Sequence, residues 1–146
     1  MTKKVVKKPV EAGRVLATSA DAVLAIAMLT VLTDRKLHKK EAAFLKSMLG
    51  ASPLFRSVAD ADSYISHIAV IIADTGADAV LDNAVRMLNA SLRETAYAWA
   101  VCLVASDGKF VPAEHAFLGM LKKKLGLHGV LAGKIKAVVP MLVRVN

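Results

Sequence analysis

The chain holds a single cysteine, Cys102, among its 146 residues. No disulfide can close within it, which points to a reducing compartment. Cys102 lies inside an apolar run with no base placed beside it, so it reads as a small buried hydrophobe rather than a nucleophile. Aromatic residues are scarce at 5%, although 55% of the chain is hydrophobic. Ala, Leu and Val supply most of that share. Small aliphatic residues suit close helix packing, and no segment shows the period-2 alternation of a strand. Only four prolines and eight glycines interrupt the chain, so long ordered segments are expected.

Other absences narrow the function. There is no P-loop, no dinucleotide-binding glycine turn and no nucleophile–base set, which argues against an enzyme. His38, His67, His115 and His128 lack zinc-type spacing. The lysines are not interleaved with aromatics and no recognition helix is visible, so nucleic acid is not an expected partner. The strongly apolar stretch Ala22 to Leu32 is too short to span a bilayer. A similar stretch recurs mid-chain at Thr95 to Ala105, which favours a buried core helix and a soluble, cytoplasmic protein.

What is present is a duplicated pattern. Asp34 and Asp107 are 73 positions apart, and each closes a long apolar stretch. A Glu follows seven residues later in both copies, Glu41 and Glu114, and then a Phe-Leu pair, Phe44-Leu45 and Phe117-Leu118. Such a repeat sets architecture. Around it the spacing predicts seven helices. The first starts at Ser19 as N-cap and runs to Thr33; being apolar nearly all round, it should be central. The second runs from Lys39 to about Leu49, ended by Gly50 and Pro53. A third starts at Asp62, carries Ile65, Ile68, Ala69 and Ile72, and stops at Thr75-Gly76. A fourth spans Ala77 to Asn89 with Val80, Leu81, Ala84, Val85 and Leu88 inward. Ser91 and Glu94 form a capping box for a fifth that ends at Ser106. Pro112 opens a sixth, closed at Gly126. A last helix covers Val130 to Val145, with Pro140 inside it. The expected fold is an all-α, single-domain bundle of two helix-turn-helix repeats, about 19–50 and 92–126. It lies within a helical domain 14–146, after a basic, flexible segment 1–13.

The charge is +8 and unevenly placed. Lys3, Lys4, Lys7 and Lys8 open the chain, Lys122, Lys123 and Lys124 form a second cluster, and Lys134, Lys136 and Arg144 follow. By charge alone that balance favours anionic partners, whether acidic proteins, anionic lipid or nucleic acid. The acids are the sharper lead. Asp34 and Asp107 fall at helix C-termini, where a carboxylate costs roughly 0.3–1 kcal/mol and wants a compensating cation. Each also suits a turn that folds the corner through its own backbone. If His38 and Val111 are N-caps, Glu41 and Glu114 stand at N3 and can serve as capping residues. Taken together, Asp34, Glu41, Asp107 and Glu114 are hard oxygen ligands that suit Ca²⁺, Mg²⁺ or Mn²⁺. The spacing is not that of an EF-hand, and one pair supplies only two side-chain ligands. A strong site would need both corners to meet, or help from Asp74, Asp78 or Asp82.

These residues also carry a resemblance. Leu92-Arg93-Glu94-Thr95-Ala96, then Ala100 to Asp107-Gly108-Lys109-Phe110, then Glu114, Phe117-Leu118 and Leu125-Gly126-Leu127, resemble the TerB-like tellurite-resistance family over about Ser19 to Val139. The resemblance implies an all-helical, non-enzymatic bacterial protein of tellurite resistance and chemical stress. It implies divalent-cation binding through acids matching Asp107 and Glu114, and by the repeat Asp34 and Glu41. It also implies protein partners and a cytoplasmic place, with assemblies near the inner membrane. One departure stands out: Arg35 occupies the position that Gly108 fills in the second copy, and its charge can neutralise Asp34 internally.

Overall fold

A computed structural model of the chain describes residues 15–32, 39–106 and 112–142. Seven α-helices fill these residues: α1 (Ser19–Val31), α2 (Lys39–Ala51), α3 (Ala61–Thr75), α4 (Ala77–Met87), α5 (Ala90–Ser106), α6 (Pro112–Leu125) and α7 (Gly129–Leu142). A one-turn 3₁₀ helix, Pro53–Phe55, joins α2 to α3. No strand occurs among the described residues. The expected all-α class is therefore observed. The predicted lead-in, residues 1–13, lies outside the described residues.

Helix α1 is the axis of the molecule. Eleven successive residues, Asp21 to Val31, are buried, so the helix has no solvent face. This follows from its composition: a helix apolar all round can only be satisfied by neighbours on every side. Thr30, the polar exception in its second half, closes its hydroxyl onto the Ile26 carbonyl at 2.7 Å. Helix α1 packs chiefly on α5 and α4, and also on α3, α6 and α2. Helix α5 in turn carries α7 and α6. Both helices bury alanines: Ala22, Ala25 and Ala27 of α1 and Ala96 and Ala100 of α5 are all fully buried. Side chains this small let two helix axes approach closely, and close-packed interiors do not yield to added volume. Ala100→Leu is expected to cost about 1–3 kcal/mol through overpacking; urea unfolding checks this, and a neutral result would show slack at the helix crossing.

The helix ends refine the sequence reading. The N-cap of α1 is Thr18, one residue before Ser19. Its hydroxyl accepts from the Asp21 N–H at 3.1 Å, and Asp21 Oδ2 accepts from the Ala17 and Thr18 N–H groups at 2.8 and 3.3 Å. Helix α2 runs on through Gly50 to Ala51, and Pro53 opens the 3₁₀ turn instead of merely stopping the helix. Asp60, not Asp62, caps α3 by accepting from the Ser63 N–H at 3.2 Å. Asp62 stands in the first turn of α3 and pairs with Lys46 of α2. Helix α4 ends at Met87. Asn89 then caps α5, its Oδ1 accepting from the Leu92 N–H at 2.9 Å. The predicted Ser91–Glu94 box does not form, because the cap of α5 falls two residues earlier, at Asn89, and Ser91 lies inside the helix.

Two glycines are required by the backbone. Gly76 between α3 and α4 has φ 98°, and Gly126 after α6 has φ 67°, values that β-carbon-bearing residues avoid. At Gly126 the chain closes a Schellman motif, with the Leu127 N–H on the Lys122 carbonyl at 3.2 Å and the Gly126 N–H on the Lys123 carbonyl at 3.1 Å. Among the described residues no single helix is long and apolar enough to cross a membrane. Helices α3 and α4 reach that length only as a pair, bent by 118° at their junction.

Candidate functional site

Glu41 and Glu114 occupy the same local position. Each is the third residue of its helix, α2 and α6 respectively. Both are buried, at 6% and 5% exposure, whereas the other carboxylates among the described residues, Asp21 apart, meet solvent. The helix N-terminus presents unsatisfied N–H groups and partial positive charge, so a first-turn carboxylate is tolerated there at depth. Neither side chain is isolated. Their sequence partners Asp34 and Asp107, and with them Arg35, His38, Gly108 and Val111, lie outside the described residues.

The same device is visible in full at Asp21, which stands outside the duplicated pattern. Its carboxylate sits in the first turn of α1 at 8% exposure. One oxygen takes the two backbone N–H groups before the helix, and Oδ1 accepts from the Tyr64 hydroxyl of α3 at 2.6 Å. Burial, and then the bond donated to Asp21, push the Tyr64 phenol well above the usual tyrosine range. The signal was present as Thr18-x-x-Asp21, a capping box with Asp at N3.

The remaining candidates resolve into packing and surface pairs. Asp82 of α4 meets Lys124 of α6 at 2.7 Å, and that ammonium holds its carboxyl below the usual range. Asp78 borders an apolar groove of about 360 Å³ with Leu29, Ile72, Leu81, Phe117 and Met120. The Trp99 ring meets Phe44 edge-on, with centroids 6.4 Å apart, pinning α2 to α5. Tyr97 is buried, and desolvation raises its phenol. Cys102 is half-buried, and burial pushes its thiol up, away from the thiolate that nucleophilic chemistry needs. His128 Nδ1 accepts from the Val130 N–H at the start of α7. Among the described residues, no three His, Cys, Asp or Glu side chains converge as a metal ligand set does.

One residue escaped notice as chemistry altogether. Arg93 of α5 sends Nε to the Leu88 carbonyl at 3.0 Å, Nη2 to the Val85 carbonyl at 3.0 Å and Nη1 to the Leu125 carbonyl at 3.3 Å. It therefore caps the C-terminal ends of α4 and α6 at once.

No family model matches this chain, and neither does any curated protein or solved structure. Of the residues quoted for the TerB-like resemblance, Leu92 to Ala96, Ala100 to Ser106, Glu114, Phe117, Leu118 and Leu125-Gly126-Leu127 fall within the described structure, and Asp107 to Phe110 fall outside it.

Proposed function

We propose that the protein is a non-enzymatic, TerB-like stress-response module of two stacked helix-turn-helix units. In this reading it binds a divalent cation at its acidic corners and acts through protein partners. The observation that supports it is the paired burial of Glu41 and Glu114 at the third position of α2 and α6, each seven residues after Asp34 or Asp107 in the sequence. The stacking of the two units is supported by α1 packing on α5 and α6 while α2 packs on α5. The Asp107–Glu114 corner, with Gly108, is the stronger cation site. Arg35 gives the Asp34–Glu41 corner a counter-charge of its own.

Calorimetric titration of the apo protein with Ca²⁺, Mg²⁺ and Mn²⁺ tests this. Binding heat is expected for at least one ion, with loss of affinity in Asp107→Asn combined with Glu114→Gln and a smaller loss in Asp34→Asn combined with Glu41→Gln. Silence with all three ions, or full binding in the first double variant, would sink the cation reading. A second reading is a metal-free adaptor that works through a basic surface. It is favoured by charge segregation: α6 and α7 carry five lysines and one carboxylate, the buried Glu114. The other described residues carry eight carboxylates against six Lys and Arg.

A further inference from the structure

Helix α7 has two faces, and only one is used by the fold. Ala132, Ile135 and Val139, spaced three and four apart, turn inward; Ala132 is buried and the other two pack against the core. On the outward side the same periodicity aligns Val130, Lys134, Ala137, Val138 and Met141, with Leu142 beside them. These outward apolar residues are unusually open for their type: Val130 is 63% exposed, Val138 51%, Met141 55% and Leu142 78%. They account for four of the seven large hydrophobic residues exposed among the described residues. A ridge of this kind, on one terminal helix, marks an interaction surface.

Charge says what kind. Lys134 stands within the ridge, and α7 holds no acidic residue. On the neighbouring flank, Lys136 of α7 and Lys122 of α6 border a hollow of about 120 Å³ lined by Gly119, Gly129 and Gly133. Tyr97 and Ala132 complete its lining, so two lysine side chains flank a small hollow otherwise walled by glycines, one alanine and one tyrosine. Lys123 extends the cationic border along α6, while the Lys124 ammonium is taken up by Asp82. We infer that the outward ridge of α7, with Lys122, Lys134 and Lys136, docks on an anionic phospholipid surface. The ridge enters the acyl boundary while the lysines meet headgroup phosphates. A second copy of the chain is disfavoured, because pairing two such ridges brings together the lysines of two α7 helices that hold no acidic residue. The cations are all lysines and the ridge has no aromatic residue, whereas protein interfaces concentrate arginine and aromatics and deplete lysine. Lysines reach a diffuse headgroup layer as point charges on long stems. The inference rests on the basic-surface reading and is independent of any bound cation.

Co-sedimentation of the full-length protein with vesicles tests it, using phosphatidylcholine alone or mixed with phosphatidylglycerol. Binding is expected only to the mixed vesicles, weakening as salt rises. Val138→Asp with Met141→Asp, both on exposed positions, should weaken binding more than about tenfold. Lys134→Ala with Lys136→Ala should weaken it about 25-fold, since each lysine near an anionic surface contributes about a factor of five. Lys39→Ala with Lys40→Ala on α2 removes the same charge elsewhere and should change little. Loss of binding in the lysine variants with full binding in Val138→Asp/Met141→Asp would overturn the α7 ridge while leaving the basic surface standing. Failure to bind mixed vesicles, or equal binding to both kinds, overturns the lipid surface itself. A dimer in sedimentation velocity that the Val138→Asp/Met141→Asp variant disperses would assign the ridge to a second copy and overturn it too.

Discussion

Replacing Arg93 by alanine is expected to destabilise the fold by about 3 kcal/mol, with a fall in Tm of about 10 °C. The guanidinium closes three carbonyls, those of Val85, Leu88 and Leu125, at two different helix ends. A hydrogen bond to a charged donor is worth about 1.5–3 kcal/mol, and the lost bonds are not additive because water reaches part of the site. The cation also opposes the negative ends of the α4 and α6 dipoles. Arg93→Lys should recover only a fraction of the loss, since one ammonium cannot span the three acceptors that the planar fork reaches. Urea denaturation of both variants measures this. A loss below about 1 kcal/mol for Arg93→Ala would mean that the helix ends are satisfied without the clamp.

Arg93 also shows where the sequence stops being informative. Its partners are backbone carbonyls, one of them 32 residues away, and a carbonyl carries no residue signature. The helices themselves were legible because each is written locally. The α4 face Val80, Leu81, Ala84, Val85 and Leu88 is buried as its spacing predicted, and α1 is central because nothing in it tolerates water. Caps were legible only to within a residue or two. Thr18 and Ser19 both bear hydroxyls, and the choice between them is made by Asp21 reaching back to Ala17 and Thr18. In α3 it is Ile71, not Ile72, that goes fully inward, a matter of how α3 lies on α1 rather than of periodicity. For the acids, the helix positions of Glu41 and Glu114 could be read from spacing, but their depth could not, because depth depends on which helices close over them. The Asp21–Tyr64 pair joins residues 43 apart and was invisible for the same reason.

That pair carries the other large expected effect. Asp21→Ala should cost about 3 kcal/mol, combining loss of the α1 capping box, typically about 1 kcal/mol, with loss of the acceptor for a partly buried hydroxyl. The consequence is global because α1 touches α2, α3, α4, α5 and α6. Tyr64→Phe should cost about 2 kcal/mol, since Asp21 keeps its two backbone donors but loses the 2.6 Å bond. A double-mutant cycle between the two isolates the coupling, expected to exceed about 1 kcal/mol. The pair also predicts a pH dependence. Burial and the Asp21 carboxylate raise the folded phenol of Tyr64 above its unfolded value of about 10, so the folded state keeps this proton when the unfolded state gives it up. Stability from this group is therefore complete below pH of about 10 and falls as pH rises beyond it, at up to about 1.4 kcal/mol per pH unit. Tyr97, raised by burial alone, adds to the same alkaline loss. Tyr64→Phe should flatten the alkaline limb relative to the wild type, and Asp21→Ala should flatten it in part. Chemical denaturation from pH 7 to above pH 11 measures these slopes. An alkaline limb as steep in Tyr64→Phe as in the wild type would show that the Asp21–Tyr64 bond does not link α1 to α3 in solution.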